Sequence, residues 1–168
     1  MAFAKIDPKE ITDNPFKLIG DDWALLSAGV AEECNTMTVS WGGVGVIWGS
    51  PAAVAYVRQT RYTKEFMDAN DLFTLSFFDE DQRQALALCG RVSGRDCDKI
   101  AQAGLTPVNL DGVATFEQAR LVLVCRKQFV SFMDPESFVD KAVLDKWYAD
   151  QNYHTQYIGA IEAAYVRE

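Results

Sequence analysis

A mainly β fold with inserted helices, an antiparallel Greek-key barrel wholly or partly closed, is what this 168-residue sequence predicts. Three observations carry that expectation. Short apolar runs bounded by turn residues outnumber the helical patterns. The helical patterns fall as insertions between those runs, without the strand–helix alternation of a doubly wound sheet. Strands in that proportion leave exposed edges unless the sheet closes on itself. With no internal repeat, linker or low-complexity tract, residues 1–168 read as one domain, residues 1–20 being an N-terminal arm.

The arm carries Pro8, Pro15 and Gly20. Residues 23–30 are apolar between Asp21-Asp22 and Glu32-Glu33, which predicts a strand. Over residues 36–41, Met37, Val39 and Trp41 alternate with Thr36, Thr38 and Ser40, the period of a half-buried strand. Gly42, Gly43, Gly45 and Gly49 then interrupt the pattern, and their spacing matches neither a dinucleotide fingerprint nor a P-loop. They predict a bulge or a close approach of backbone to a ligand. Residues 52–58 read as a strand and 61–70 as an amphipathic helix. A strand over 72–78 follows. Asp79-x-x-Gln82 resembles a capping box for a helix through Leu88, and Ser93-x-x-Asp96 a second one, stopped at Gly104 with Pro107 beyond. Residues 113–130 predict one bent strand or two. Asp134-Pro135 predicts a cap and first helical residue for a helix through Tyr148. Residues 155–166 close the fold as a strand with a bulge at Gly159.

Composition excludes several function classes. A net charge of −8 argues against a nucleic-acid partner, because a phosphate backbone needs a basic surface. No apolar run reaches membrane-spanning length, and the first residues are too polar for a signal peptide. Cys34, Cys89, Cys97 and Cys125 match no CxxC motif, and with a single histidine no zinc site is expected. The expectation is a reduced, cytoplasmic protein with free thiols.

The informative stretch is residues 35–63. It ends in a basic and hydroxyl cluster, Arg58, Thr60, Arg61, Tyr62, Thr63 and Lys64, where a strand should give way to a helix. Thr60 reads as the N-cap, with Thr63 in the first turn. Unpaired N–H groups, the helix dipole and nearby cations together suit a phosphate. The same residues are also what ordinary capping and a solvated charged face would show. Because surface charge is screened over about 8 Å at physiological salt, an acidic protein can still hold one phosphate here.

The runs NTMTVSWGG, VRQTRYTKEF, CGRVSGRDCDK and YHTQYIGAIE, in this order, resemble the flavin reductase-like, FMN-binding split-barrel family, and its flavoredoxin-like branch most closely. The resemblance covers residues 23–168. It implies FMN held beside the barrel, usually at a homodimer interface. It places Asn35, Thr36, Met37 and Thr38 along the isoalloxazine, and Arg58, Thr60, Arg61, Tyr62, Thr63 and Lys64 at the ribityl phosphate. It brings Ser93, Gly94, Arg95, Asp96 and Lys99 close to the flavin or its phosphate. It sets His154, as a catalytic candidate, where a nicotinamide would stack.

The implied activity is a flavin reductase, with hydride passing from NADH or NADPH to bound FMN and on to free flavin, a redox partner protein or another acceptor. The alternative is a non-catalytic FMN-binding electron-transfer protein on the same fold; a third reading has no cofactor and leaves the basic cluster as surface. An isoalloxazine needs a flat slot with apolar faces and a polar edge, for which Met37, Trp41 and Trp48 offer walls and Thr36 and Thr38 hydroxyls. Each has a plainer explanation: the large apolar residues as core, Ser93 and Asp96 as a capping box, His154 as a structural histidine. No element for the 2′-phosphate of NADP is recognisable, which leaves the choice of nicotinamide open.

Overall fold

A computed structural model describes residues 2–168. Strand β1 spans Phe3–Ile6, β2 Ala24–Val30, β3 Glu33–Val39, β4 Gly42–Ile47 and β5 Ser50–Arg58. Helix α1 (Pro15–Lys17) and one π-type turn (Leu18–Asp22) precede β2. Helix α2 (Thr63–Ala69) leads to β6 (Leu72–Phe77), and α3 (Arg83–Arg91) and α4 (Lys99–Gln102) lead to a hairpin of β7 (Pro107–Leu110) and β8 (Val113–Phe116). The chain ends with β9 (Leu121–Phe132), α5 (Lys141–Trp147) and β10 (His154–Arg167).

The main sheet runs in the order β3-β2-β6-β9-β10-β5-β4, with β1 paired to the far end of β10. Every pairing is antiparallel. Its terminal strands β3 and β4 are consecutive in the chain, yet among the described residues no ladder joins them. The sheet is therefore rolled and split, a barrel with one seam open. Its interior is filled by alternate residues such as Leu26, Met37, Val57, Phe73, Leu75, Leu123 and Tyr157. A second apolar layer lies outside, where α3 and the β7–β8 hairpin cover the sheet with Leu86, Cys89, Val113 and Phe116. Helix α3 has the spacing for this, since Ala85, Leu86 and Cys89 share its buried face.

The closing strand follows the sequence reading closely. Its register against β9 shifts at Ile158/Gly159, and a Cβ on Gly159 would stand 2.7 Å from the buried ring of Phe73. Only glycine leaves room there.

Several local expectations change. The glycine-rich run is a regular strand, β4, joined to β5 by a two-residue turn at Trp48 and Gly49, both with positive φ. Gly42 makes a close approach to the paired strand and not to a ligand: a Cβ there would lie 2.5 Å from the Val54 carbonyl oxygen. The N-terminal stretch is no loose arm but carries β1, which pairs with residues 164–167. Thr60 does not cap α2: Tyr62 is the cap residue and makes no side-chain capping bond. Asp79 does not cap its helix, because Arg167 holds its carboxylate at 2.5 Å. The Ser93–Asp96 signature is a turn, and the helix beyond, α4, is capped by Asp98, which accepts from the Ala101 N–H. Asp134 caps only a 3₁₀ turn, and Asp140 caps α5. Asp79 and Thr60 are drawn away by partners the tertiary fold brings near, Arg167 and Asn152. Ser93, Asp98, Asp134 and Asp140 instead bond to backbone N–H groups two or three residues on.

Candidate functional site

Where β3 ends, β5 ends and β10 begins, the barrel wall carries a cavity of about 310 Å³. The strand ends bring Met37, Thr38, Tyr56, Arg58 and His154 to it, the Ser40-Trp41 connection supplies Trp41, and α5 supplies Trp147. His154 and Arg58 stand opposite one another at the end of the β5–β10 ladder. Trp41 lies edge-on to Trp147 with ring centres 5.0 Å apart, and 5.2 Å from the His154 ring. The result is a slot with flat aromatic walls and two guanidinium groups, Arg58 and Arg61, at its border.

The two arginines are not equivalent. Arg58 ties down the segment between β9 and β10: it donates to the Asn152 carbonyl at 2.8 Å and the Trp147 carbonyl at 3.1 Å, and pairs with Asp150 at 3.5 Å. Arg61 donates to the Gly90 carbonyl at 2.8 Å and the Cys89 carbonyl at 3.4 Å, at the C-terminus of α3. Among the described residues it has no carboxylate within salt-bridge distance. Two of its five N–H groups are thus engaged, and burial pulls its pKa below the usual arginine value.

Lys99 is its counterpart at the same helix end. The side chain is 3% exposed, and its ammonium donates to the Cys89 and Val92 carbonyls at 3.2 Å each. It too has no carboxylate partner among the described residues. Burial, helped by Arg61, lowers its pKa to about 8. Lys99 borders a second cavity of about 590 Å³, lined also by Cys34, Asn35, Tyr62, Gly94 and Arg95. Strand β3 is the common wall, with Asn35 on the second cavity and Met37 and Thr38 on the first.

His154 is 7% exposed, and its Nδ1 lies 2.8 Å from the Tyr148 hydroxyl. Desolvation first, and the charge of Arg58 second, lower its pKa to about 4. At neutral pH it is an uncharged imidazole.

The sequence-predicted residues divide accordingly. Thr38, Met37, Arg58, Arg61 and His154 converge on the first cavity. Asn35, Tyr62, Gly94, Arg95, Asp96 and Lys99 border the second. Thr36 faces neither, its hydroxyl being buried against Ser27 and the Leu26 carbonyl. Thr63 is buried and accepts from the Asn35 amide at 2.7 Å. Lys64 pairs with Asp68 at 2.6 Å. The Thr60 hydroxyl accepts from the Asn152 amide at 2.8 Å, and Ser93 accepts from the Arg95 N–H. Arg95 pairs with Glu65 and lies over the Tyr62 ring. Trp48 sits at the β4–β5 turn near Phe129, away from either cavity. Sequence reasoning missed Tyr56, Trp147 and Tyr148; the aromatic density around Trp147 and Tyr148, just before the only histidine, was the available signal. Among the described residues no cluster of metal-ligating side chains occurs, and no helix is long and apolar enough to cross a membrane.

A family model, the flavin reductase like domain, matches residues 18–168. No curated protein matches the chain. Among solved structures, the chain is similar to the FMN-binding domain of a flavin reductases-like enzyme from Shewanella baltica OS155. That match has TM-score 0.69 and 15% identity, covering 98% of this chain and 77% of the other. Flavoredoxin of Desulfovibrio vulgaris gives TM-score 0.68 at 20% identity, covering 98% and 78%. Component B of nitrilotriacetate monooxygenase from Bacillus cereus gives 0.68 at 18% identity, covering 100% and 83%. At these identities the likeness is one of fold.

Proposed function

Because the chain belongs to the flavin reductase-like domain family, we propose that it binds FMN and passes hydride from NADH or NADPH through it to an acceptor. The observation that carries this reading is Arg61: a partly desolvated guanidinium at the mouth of an aromatic slot, with no acid among the described residues to neutralise it and donors to spare. A partly buried cation without a counter-ion favours an anionic ligand. The flat walls beside it favour one that also carries a ring.

The residues fit the group. Met37, Trp41 and Trp147 offer apolar faces, while Thr38 and Ser40 offer polar atoms along the slot. Arg61, on the first cavity, is the proposed phosphate ligand, and Lys99, which lines the second beside Asn35, Tyr62 and Gly94, is the second positive charge. Thr60, Thr63 and Lys64 act by holding this turn in place through Asn152, Asn35 and Asp68. FMN, when bound, supplies the hydride-accepting and electron-transferring chemistry. His154 lines the slot where a nicotinamide would lie against it.

Large apolar side chains left exposed, among them Trp48 packed near Phe129 on neighbouring elements, and Val130, Phe132 and Val139, support a homodimer that would cover some of them. All four cysteines are free, which suits a cytoplasmic setting.

The test is an absorption scan of the purified protein with added FMN, then anaerobic titration with each nicotinamide. Flavin bands that bleach rapidly with NADH or NADPH are the expected result. Bound flavin that neither nicotinamide bleaches would make the protein a non-catalytic electron carrier. A protein that stays colourless after incubation with FMN would overturn the reading.

A further inference from the structure

We infer that Tyr148 is a positioning residue: its hydroxyl donates to Nδ1 of His154 and so fixes that ring as the tautomer whose Nε2–H points into the aromatic slot, ready to donate to a carbonyl oxygen on a flat heteroaromatic ligand.

A neutral imidazole has one donor and one acceptor nitrogen, so the partner of Nδ1 decides the role of Nε2. The Tyr148 hydroxyl is 2.8 Å from Nδ1 and makes no other hydrogen bond among the described residues. Tyr148 is 5% exposed. Were its oxygen to accept from an Nδ1–H, its own proton would be left without an acceptor, at the cost of desolvating a polar group for nothing. Donation from the hydroxyl to Nδ1 satisfies both groups. Nε2 must then carry the remaining proton.

That proton has a place to go. Nε2 has no hydrogen-bond partner among the described residues, yet it is not sealed off, because the one sealed side-chain polar atom without a partner is Oδ1 of Asn152. His154 lines the slot, so the open side of its ring is the slot itself. The charged and titratable groups around it are Arg58 opposite on the ladder, Arg61 across the slot, and the hydroxyls of Tyr56 and Tyr148. None is an acid that would stabilise an imidazolium, and Arg58 opposes one. The ring is therefore a neutral donor, suited to a carbonyl or carboxamide oxygen. The Trp41 ring 5.2 Å away favours a flat ligand carrying that oxygen.

Two carbonyl-bearing rings meet this description, the flavin and the nicotinamide, so the ligand half of the inference rests on the function proposed above. The tautomer half does not. With one histidine in the chain, nitrogen-labelled histidine NMR reads a single ring. The expected wild-type spectrum shows the Nε2–H tautomer without any ligand; a ring protonated at Nδ1, or an even mixture, would overturn the inference. Tyr148→Phe should release the ring into a mixture of tautomers while circular dichroism shows the fold retained. An unchanged tautomer would also overturn it, and if the variant does not fold the wild-type spectrum decides alone.

Adding FMN, and then oxidised NAD to the FMN-loaded protein, identifies the acceptor by which addition moves the Nε2–H resonance. Movement at neither step removes the ligand half. A protein that takes up no FMN removes the proposed function while leaving the tautomer result standing. Tyr148→Phe should slow flavin reduction about twofold to tenfold, the effect of one neutral hydrogen bond.

Discussion

Arg61 and Lys99 donate to the same acceptor, the carbonyl oxygen of Cys89 at the α3 C-terminus, at 3.4 and 3.2 Å. A helix end is where unpaired carbonyls and the negative pole of the dipole welcome cations. Two cations sharing it with no carboxylate partner among the described residues leave net positive charge beside the two cavities, Arg61 lining one and Lys99 the other. The electrostatic case for an anion at this site rests on that relationship.

Replacing Arg61 by alanine should weaken FMN binding by about 1–3 kcal/mol, the usual effect of removing a charge-assisted partner. Thr60→Ala should cost less, about 1 kcal/mol, because its hydroxyl accepts from Asn152 rather than facing the slot. Fluorescence titration of FMN quenching measures both, with thermal melts to separate binding from loss of the α3 contacts. Equal affinities in wild type and Arg61→Ala would move the phosphate elsewhere.

FMN affinity should fall as pH rises through about 8, where Lys99 loses its proton. The stability effect has the opposite sign. The folded pKa lies below the unfolded value of 10.5, so the unfolded chain binds more protons in that window and stability rises with pH across it. Lys99→Met should flatten both dependences. Kd measured between pH 7 and 9.5, beside urea unfolding at the same pH values, distinguishes them; a flat wild-type affinity would show that Lys99 does not serve the ligand.

His154 makes the acid side equally specific. Its folded pKa of about 4 lies below the free value of 6.5, so protonation favours the unfolded chain. Its contribution is therefore complete above pH 6.5 and is lost as pH falls from there through about 4. His154→Gln, which cannot titrate, should show a shallower loss over that window in denaturant melts. Identical slopes in both proteins would place the acid sensitivity on the carboxylates alone.

Much of this was legible in the sequence because strand patterning is local. The alternation over β3, the apolar core of β9 and the bulge at Gly159 all depend on neighbours in the chain. Two of the caps were not legible, because Asp79 finds Arg167 and Thr60 finds Asn152, partners that only the fold brings close. The basic cluster was legible as a cluster but not as a geometry. Around a tight turn successive side chains diverge, so Arg58 reaches the Trp147 carbonyl, Arg61 the end of α3, and Lys64 its own helix. The glycine-rich stretch misled for the reverse reason: glycine carries little strand propensity, yet pairing with β5 makes residues 42–47 a strand regardless.

Gly159 gives the sharpest packing prediction. It lies where β10 slips against β9, and a Cβ there would stand 2.7 and 2.8 Å from ring carbons of Phe73 and 3.1 Å from Cβ of Cys125. Phe73 is fully buried in the barrel interior and has no free direction in which to retreat. Gly159→Ala should therefore destabilise the protein by about 1–3 kcal/mol, the range for forcing extra atoms into a close-packed core. Combining it with Phe73→Leu should recover part of that loss, since the smaller side chain vacates the contested volume. Chemical denaturation of the two single variants and the double variant reads the coupling directly; strict additivity would mean that the added methyl group is accommodated by backbone movement at the bulge instead of by the ring.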